Sequence, residues 1–215
     1  MIDDRTVIIS VAGKGNRLGM GIPKGLIDIC GKPLIIRQLE LLNDVSDVRV
    51  VTGYHNQDII QTVQKYRRDI LFLFNNDYET TQTGASLSKG LEDTKDFVVA
   101  LDGDLLVHPD DMKFFLNSKE EIIGGTNDGE FTDNPVLMSI DDGYRVIRFS
   151  RGEGVLEWSG LALLKKDRLK QNDCYVYQMI EPLLPIKAMK IRAKEVDTPH
   201  DLQNAIVWVQ NGYAI

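Results

Sequence analysis

Cysteine is scarce in this 215-residue chain, and its two copies, Cys30 and Cys174, stand far apart. Neither a disulfide framework nor a thiolate metal site is indicated, because both need cysteines in larger numbers or at short spacing. Positive charge is also short, since 25 lysines and arginines face 32 aspartates and glutamates, for a formal net charge of −7. That balance argues against nucleic acid or an anionic membrane surface as a partner.

Long apolar runs are missing as well. No stretch approaches the roughly 20 apolar residues that a membrane span needs. The start, MIDDRTVIIS, lacks the cationic segment and long apolar core of a signal peptide. We therefore expect a cytoplasmic protein with no membrane insertion. The composition is that of a folded protein, and the length suits a single domain over residues 1–215.

The first half of the chain alternates apolar, β-branched segments with amphipathic ones. The segments predicted as strands are 6–13, 48–54, 70–76 and 96–107, and helices are predicted to begin at 33, 57 and 83. Strand–helix alternation of this kind implies parallel crossovers and a sheet that is covered on both faces.

The second half is less regular. Short strands and hairpins with the turn sequences DDG and RGEG precede a helix over about 172–184, a strand over 188–197 and a closing helix from 198. We predict an α/β fold: a Rossmann-like, three-layer α/β/α arrangement with a mostly parallel sheet and a small antiparallel insertion in the C-terminal half.

The first predicted strand runs directly into a glycine-rich, cationic loop, AGKGNRLG. Ligands of open α/β sheets bind at the carboxyl ends of the strands, where this loop lies. Gly13, Gly15 and Gly19 would let backbone N–H groups approach phosphate oxygens without obstruction by a Cβ atom. Arg17 adds a fork of donors, and Lys24 adds a point charge. The loop therefore predicts a site for a strongly negative ligand such as a triphosphate.

Two better-known phosphate loops do not match. A Walker A loop needs Gly-Lys followed by Ser or Thr, whereas Lys14 is followed by Gly15. A dinucleotide fingerprint needs a small residue where Leu18 stands, and it continues into a helix instead of the sequence GMGIPKG.

Three motifs occur in order: Ala-Gly-x-Gly-x-Arg at 12–17, Pro-Lys at 23–24 and Gly-Lys-Pro at 31–33. Together they resemble the nucleotidyltransferase family of sugar-1-phosphate nucleotidylyltransferases and smaller cytidylyltransferases, including those for choline phosphate and methylerythritol phosphate. The resemblance covers nearly the whole chain, through VVTGY, LDGDLLV, WSGLALL and EVDTPHDL. It implies a sheet of nucleotide-diphospho-sugar transferase type. The seven-residue step from Arg17 to Lys24 is short and favours CTP.

The resemblance also assigns roles to residues. Arg17 and Lys24 become catalytic, and Ser86 becomes a contact of the nucleobase, with helix capping as the alternative. The residues implied in nucleotide binding are Ala12, Gly13, Lys14, Gly15, Gly53, Thr83, Gly84, Ser86 and Asp102.

Carboxylates recur near two predicted strand ends. Asp102 and Asp104 alternate along one strand, so we expect both side chains on the same side, where they repel unless water or a cation separates them. Asp197 precedes a helix, and it or Thr198 could cap that helix. The resemblance implies that Asp104 and Asp197 hold Mg²⁺, whereas Asp102 either contacts the ligand or supports the loop.

Glu157 and Trp158 correspond to the acceptor-facing strand of the family, with core packing as the alternative for Trp158. The implied reaction transfers CMP from CTP to a small phosphorylated alcohol, such as phosphocholine or an alditol or polyol phosphate, for cell-surface polysaccharide biosynthesis. Three alternatives stay open: a sugar-1-phosphate nucleotidylyltransferase using UTP, GTP or dTTP, a metal-dependent glycosyltransferase of related fold, and a non-catalytic nucleotide sensor. The sequence also leaves the oligomeric state open, a homodimer included.

Overall fold

The centre of the fold is a nine-stranded sheet, seen in a computed structural model that describes residues 1–127, 131–132 and 134–214. The described residues form eleven strands, and all but β5 and β11 belong to this sheet. The strands are β1 (Ile2–Val11), β2 (Val45–Thr52), β3 (Leu71–Phe74), β4 (Phe97–Asp102), β5 (Leu105–Val107), β6 (Ile122–Thr126), β7 (Leu137–Ile140), β8 (Arg145–Ser150), β9 (Leu156–Lys165), β10 (Ile186–Lys190) and β11 (Ala193–Glu195). The helices are α1 (Leu34–Leu41), α2 (Asn56–Tyr66), α3 (Thr83–Lys89), α4 (Pro109–Leu116), α5 (Val176–Ile180) and α6 (Pro199–Gln210).

The strand order is β3-β2-β1-β4-β9-β6-β10-β8-β7, and all of these strands except β8 and β9 run in one direction. The crossovers β1-α1-β2, β2-α2-β3 and β3-α3-β4 build the parallel half. Every antiparallel pair of the large sheet involves β8 or β9 from the C-terminal half, and β7 also pairs back onto β9. The predicted α/β class is confirmed.

Residues of β1 alternate between two apolar layers. Val7 and Ile9 pack into the core beneath α1, α2 and α4, whereas Ile8 packs into the core beneath α3 and α5. Burial on both faces explains why the strand sequence is almost continuously apolar. A third cluster lies under α6, where Leu18 from the glycine-rich loop packs with Trp208. The loop is thus anchored by one apolar side chain.

The predicted strand 96–107 is two strands in the structure, β4 and β5, with the break at Gly103. The side-chain amide of Gln38 in α1 stabilises this break, because it donates to the carbonyl oxygens of Asp102 and Leu105, both at 2.8 Å. The prediction of one continuous strand is therefore wrong.

The predicted strand 188–197 is also two strands, β10 and β11. Arg192 lies between them, and its backbone N–H (2.7 Å) and guanidinium (2.6 Å) both donate to the carboxylate of Asp111 in α4. β11 then pairs antiparallel with β5 in a separate two-stranded sheet. Asp104 and Asp197 consequently flank this small sheet instead of ending strands of the large one.

The last third of the chain differs from expectation in one helix and agrees in another. The helix predicted over about 172–184 is α5 followed by a 3-10 turn at Glu181–Leu183. The closing helix is α6, which Thr198 caps in reciprocal hydrogen bonds with Asp201. Asp197 is therefore not the capping residue. In the described part of the chain, no helix is both long and apolar enough to cross a membrane.

Gly103 offers a test of the strand break. A Cβ atom there would lie 2.1 Å from Val11 Cγ1 and 2.6 Å from the carbonyl oxygen of Ser10, so the backbone would have to shift. We expect Gly103→Ala to lower the free energy of unfolding by about 1–3 kcal/mol in urea denaturation. Gly13→Ala is the control, because a Cβ atom there meets no described atom within 4 Å. Equal stability of the two variants would contradict this account.

Candidate active site

The glycine-rich loop turns sharply around a short 3-10 helix, Asn16–Leu18. Gly15 and Gly19 flank it with φ angles of 64° and 66°, in the left-handed region that favours glycine. Gly13 faces open space, since a Cβ atom there meets no described atom within 4 Å. The loop therefore presents backbone to the cleft at the carboxyl end of β1, as its composition predicts.

Lys24 approaches the same cleft from the other side of the loop. It follows Pro23 and begins a second 3-10 helix, Lys24–Leu26. Its aliphatic stem lies against Gly15, where a Cβ atom would stand 2.8 Å from Lys24 Cγ. Gly15 thus serves both the turn and the placement of the lysine.

The ammonium group of Lys24 lies among carboxylates. Its Nζ is 2.7 Å from Asp104 Oδ2, and it also forms an ion pair with Asp197. Arg17 forms a further ion pair with Asp197. The four residues therefore share one cleft, although their catalytic and metal-binding roles stay predictions.

A third carboxylate, Glu195, completes this group and was missed by sequence reasoning. Oxygen atoms of Asp104, Glu195 and Asp197 lie within 4.8 Å of one another. The pairing of β11 with β5 brings them together, because the N–H of Val196 donates to the carbonyl of Asp104 at 2.9 Å. A signal was present in Glu-Val-Asp at 195–197, whose alternate residues point to one side of an extended chain.

Two of the carboxylates in this region, Glu195 and Asp102, have raised pKa values. Burial and the neighbouring Asp104 carboxylate raise the pKa of Glu195 to about 7, even though part of its surface is exposed to solvent. Burial, then the charges of Asp104 and Glu195, raises the pKa of Asp102 well above its usual range. A set of three hard oxygen donors fits Mg²⁺, which also relieves such repulsion.

Asp102 lies at the end of β4 and packs against β9. Its carboxylate packs on Gly160 of β9, where a Cβ atom would stand 2.5 Å from Oδ2. Gly160 also has a φ angle of 82°, so the Ser-Gly of the WSG motif accommodates this carboxylate. This contact is with β9 and not with the glycine-rich loop, so both alternatives for Asp102, support of the loop and contact with the ligand, stay predictions.

Lys14 and Gly53 lie on the β2 and β3 side of the loop. Lys14 forms an ion pair with Glu79, and the two line a cavity of about 300 Å³ with Asn16 and Tyr78. Gly53 is tightly enclosed, because a Cβ atom there would lie 2.8 Å from the carbonyl oxygen of Ala12 and 2.7 Å from the ring of Tyr78. Both residues border the loop, and their nucleotide contacts stay predictions.

The α3 residues have protein partners. Thr83 Oγ1 accepts from the N–H of Val176 at 3.2 Å, and the N–H of Gly84 donates to the carbonyl of Cys174 at 2.7 Å. Ser86 is buried, and its hydroxyl accepts from the side-chain amide of Asn75 at 3.0 Å. The N-cap of α3 is Gln82, so the capping alternative for Ser86 is wrong. These contacts fix α3 against Asn75 and the segment that leads into α5, and its nucleobase role stays a prediction.

Glu157 and Trp158 point to opposite faces of β9. The buried carboxylate of Glu157 accepts from the N–H of Thr132 at 3.0 Å and from its hydroxyl, and its charge helps raise the pKa of Glu195. Trp158 is half-buried and packs edge-on against Phe149, with ring centroids 6.0 Å apart. Core packing thus accounts for Trp158, whereas Glu157 lies on the side of the cluster formed by Asp104, Glu195 and Asp197.

A family model described as the MobA-like NTP transferase domain matches residues 7–168. The chain therefore belongs to the MobA-like NTP transferase family. Among curated proteins, the bifunctional protein GlmU of Wolinella succinogenes is 28% identical over 122 residues, which are 55% of this chain and 28% of that protein. The chain spans less than a third of the length of the first curated relatives that it matches.

Two solved structures share the fold over almost their full length. The CTP:phosphocholine cytidylyltransferase LicC of Streptococcus pneumoniae superposes with a TM-score of 0.80 at 20% identity, covering 95% of this chain and 98% of that one. The inositol-1-phosphate CTP transferase of T. maritima also gives 0.80, at 17% identity, covering 100% and 98%. These likenesses confirm the nucleotide-diphospho-sugar transferase type of fold.

The raised pKa of Glu195 predicts a pH-dependent stability. The folded chain holds this proton up to about pH 7, against a usual value of 4.5, so charging Glu195 costs stability as the pH rises through that window. We expect Glu195→Gln to match the wild type at pH 4 and to exceed its unfolding free energy by on the order of 1 kcal/mol at pH 8, an amount already reduced for solvent screening.

Urea denaturation in metal-free buffer at pH 4, 6 and 8 measures this difference. Glu153→Gln is the control, because that side chain is 86% exposed and the same chemical change should leave stability within about 0.5 kcal/mol. A Glu195→Gln protein that is no more stable than the wild type at pH 8 would refute the raised pKa of Glu195.

Proposed function

We propose that this protein is a nucleotidyltransferase that transfers CMP from CTP to a small phosphorylated alcohol and releases pyrophosphate. One observation carries the proposal: Arg17 and Lys24, beside a backbone-lined glycine loop, lie in one cleft with the carboxylates Asp104 and Asp197. Cations suited to phosphate thus adjoin oxygen donors suited to a divalent ion. Membership of the MobA-like NTP transferase family supports the same reaction class.

The reaction is in-line attack by an oxygen of the acceptor phosphate on the α-phosphorus of CTP. A new P–O bond forms, the bond from the α-phosphorus to the bridging oxygen breaks, and pyrophosphate leaves with that electron pair. The attacking oxygen is already anionic, so no residue has to remove a proton from it. Catalysis then depends on alignment and on stabilisation of developing charge.

The chain's own residues supply these effects. The backbone of the glycine loop approaches the phosphates, and Arg17 and Lys24 stabilise negative charge on the α-phosphate and on the leaving group. Held by Asp104, Glu195 and Asp197, Mg²⁺ would neutralise phosphate oxygens. The side chain of Gln38 fixes the turn that carries Asp104, through its bonds to flanking carbonyls.

The choice of CTP rests on two supports. The step from Arg17 to Lys24 is short, and both structural relatives described above are CTP-dependent transferases by name. The sugar-1-phosphate alternative, with UTP, GTP or dTTP, keeps its place because a mannose-1-phosphate guanyltransferase of Candida glabrata is 31% identical over 67 residues, which are 29% of this chain. The acceptor we propose is phosphocholine or an alditol or polyol phosphate, and the product would be an activated alcohol for surface polysaccharides.

Pyrophosphate release tests the nucleotide and the acceptor together. The protein is incubated with Mg²⁺, each of CTP, UTP, GTP, ATP and dTTP in turn, and a panel of phosphorylated alcohols and sugar 1-phosphates. We expect acceptor-dependent release with CTP and an alcohol phosphate. Release with another nucleotide and a sugar 1-phosphate would favour the alternative. Consumption of a nucleotide sugar, offered in a separate incubation, would favour a glycosyltransferase. No release with any pair would overturn the proposal.

Substitution of Lys24 and of Asp104 tests the roles proposed for these two residues. We expect Lys24→Ala and Asp104→Ala each to lower kcat by about a hundredfold or more, because each removes one charged group aimed at the phosphates or the metal. Circular dichroism and thermal melting establish that each variant is folded. Lys32→Ala is the matched control, since Lys32 pairs with Glu40 and not with the carboxylate group. Near-normal turnover of a folded Lys24→Ala protein would remove Lys24 from this role.

A further inference from the structure

Two cations that border the glycine loop pair with carboxylates of the candidate metal site. Lys24 pairs with Asp104 and Asp197, and Arg17 pairs with Asp197. Asp104 and Asp197 also belong to the three-carboxylate group that fits a metal ion. The residues suited to phosphate and those suited to metal are therefore each other's counter-ions.

We propose that Lys24 is an internal counter-ion of the metal site, so that a divalent ion and a triphosphate promote each other's binding by exchange of partners. The divalent ion takes the carboxylates of Asp104 and Asp197 and releases the ammonium group of Lys24. The released ammonium then pairs with phosphate oxygens of the nucleotide. This inference rests on the proposed metal and triphosphate sites and adds how they are coupled.

Burial makes the exchange energetically significant. The Asp197 side chain is only 7% exposed, and those of Lys24 and Asp104 are 19% and 20% exposed, so solvent and salt screen their attraction weakly. Carboxylates this crowded need a cation, because removing one partner of such a pair leaves an uncompensated charge. The ammonium therefore competes with any metal ion for the same oxygens.

Geometry concentrates the effect in Lys24. Its stem lies against Gly15, so the ammonium lies between the loop and the carboxylates. Arg17 also pairs with Asp197, but its side chain is 67% exposed, so solvent and salt screen that pair more strongly.

Lys14 borders the same loop but pairs with Glu79, which lies outside the three-carboxylate group. The side chains of Lys14 and Glu79 are 38% and 57% exposed, which makes their pair a screened surface contact. Lys14→Gln is thus a matched control that removes one loop cation without touching the metal site.

Coupling of this kind is reciprocal, because metal binding and triphosphate binding affect each other. Removal of a charged side chain from one of the two sites should therefore raise the affinity of the other site. Lys24→Gln should bind Mn²⁺ about tenfold more tightly than the wild type in the absence of phosphate, because the carboxylates lose their competitor. Asp197→Asn should bind inorganic tripolyphosphate several-fold more tightly in EDTA, because Lys24 and Arg17 lose theirs. A residue that only supports the fold would produce neither gain.

The experiment titrates the full chain at pH 8.5. Free Mn²⁺ is measured by electron paramagnetic resonance for the wild type, Lys24→Gln, Lys24→Arg and Lys14→Gln, and tripolyphosphate binding in EDTA is measured by calorimetry for the wild type, Asp197→Asn and Asp104→Asn. We expect tighter Mn²⁺ binding for Lys24→Gln alone, and tighter tripolyphosphate binding for both asparagine variants. Melting curves establish folding, and Asp104→Asn serves if Asp197→Asn is unfolded.

Unchanged or weaker Mn²⁺ binding by Lys24→Gln overturns the inference, as does an equal gain in Lys14→Gln, which would show a general effect of charge. If Lys24→Gln is unfolded, unchanged tripolyphosphate binding by the asparagine variants overturns it. Neither titration involves turnover. A protein that shows the exchange but releases no pyrophosphate would support this inference and contradict the proposed transferase activity. A protein that turns over without the exchange would contradict the inference and support the transferase activity.

Discussion

Mutual neutralisation of Lys24 with Asp104 and Asp197 is the interaction on which the rest of the site depends. Asp197 is almost completely buried, and a carboxylate in that position needs a cation or a proton. The chain meets this need by breaking two strands at matching points and pairing their second halves as β5 and β11. Asp104 and Asp197 lie outside the strands of the large sheet, and the pairing of β5 with β11 brings them together.

Close packing around glycines places the remaining groups. Gly15 leaves room for the stem of Lys24, Gly160 for the carboxylate of Asp102, and Gly103 for the side chain of Val11. A Cβ atom at any of them would lie 2.8 Å or less from its neighbour, which side chains do not tolerate without displacement. The glycines of the motifs therefore have distinct tasks, and at Gly13 and Gly19 of the loop a Cβ atom would meet nothing within 4 Å, which leaves open space where an anionic ligand would fit.

Local sequence patterns predicted most of the fold and much of the site. The continuous apolar run of β1 and the helical periods of α1 and α2 depend on neighbours in the chain, and they were predicted correctly. The breaks at Gly103 and Arg192 were not, because they depend on Gln38 and Asp111, which are distant in sequence. Glu195 was missed for the same reason: its proximity to Asp104 comes from the β5–β11 pairing that the broken strands create.

The proposed binding of a triphosphate by an acidic chain raises an electrostatic question, which the local arrangement answers. At physiological ionic strength charges are screened beyond about 8 Å, so the net charge of −7 matters less than the groups within the cleft. There the cations are already matched by carboxylates, and a bare triphosphate gains little from replacing one anion by another. A triphosphate accompanied by a divalent ion brings charge of both signs, and each part finds partners that the other has released. Selectivity for the metal complex over the free nucleotide then follows from the pairing itself, with no need for an excess of positive charge.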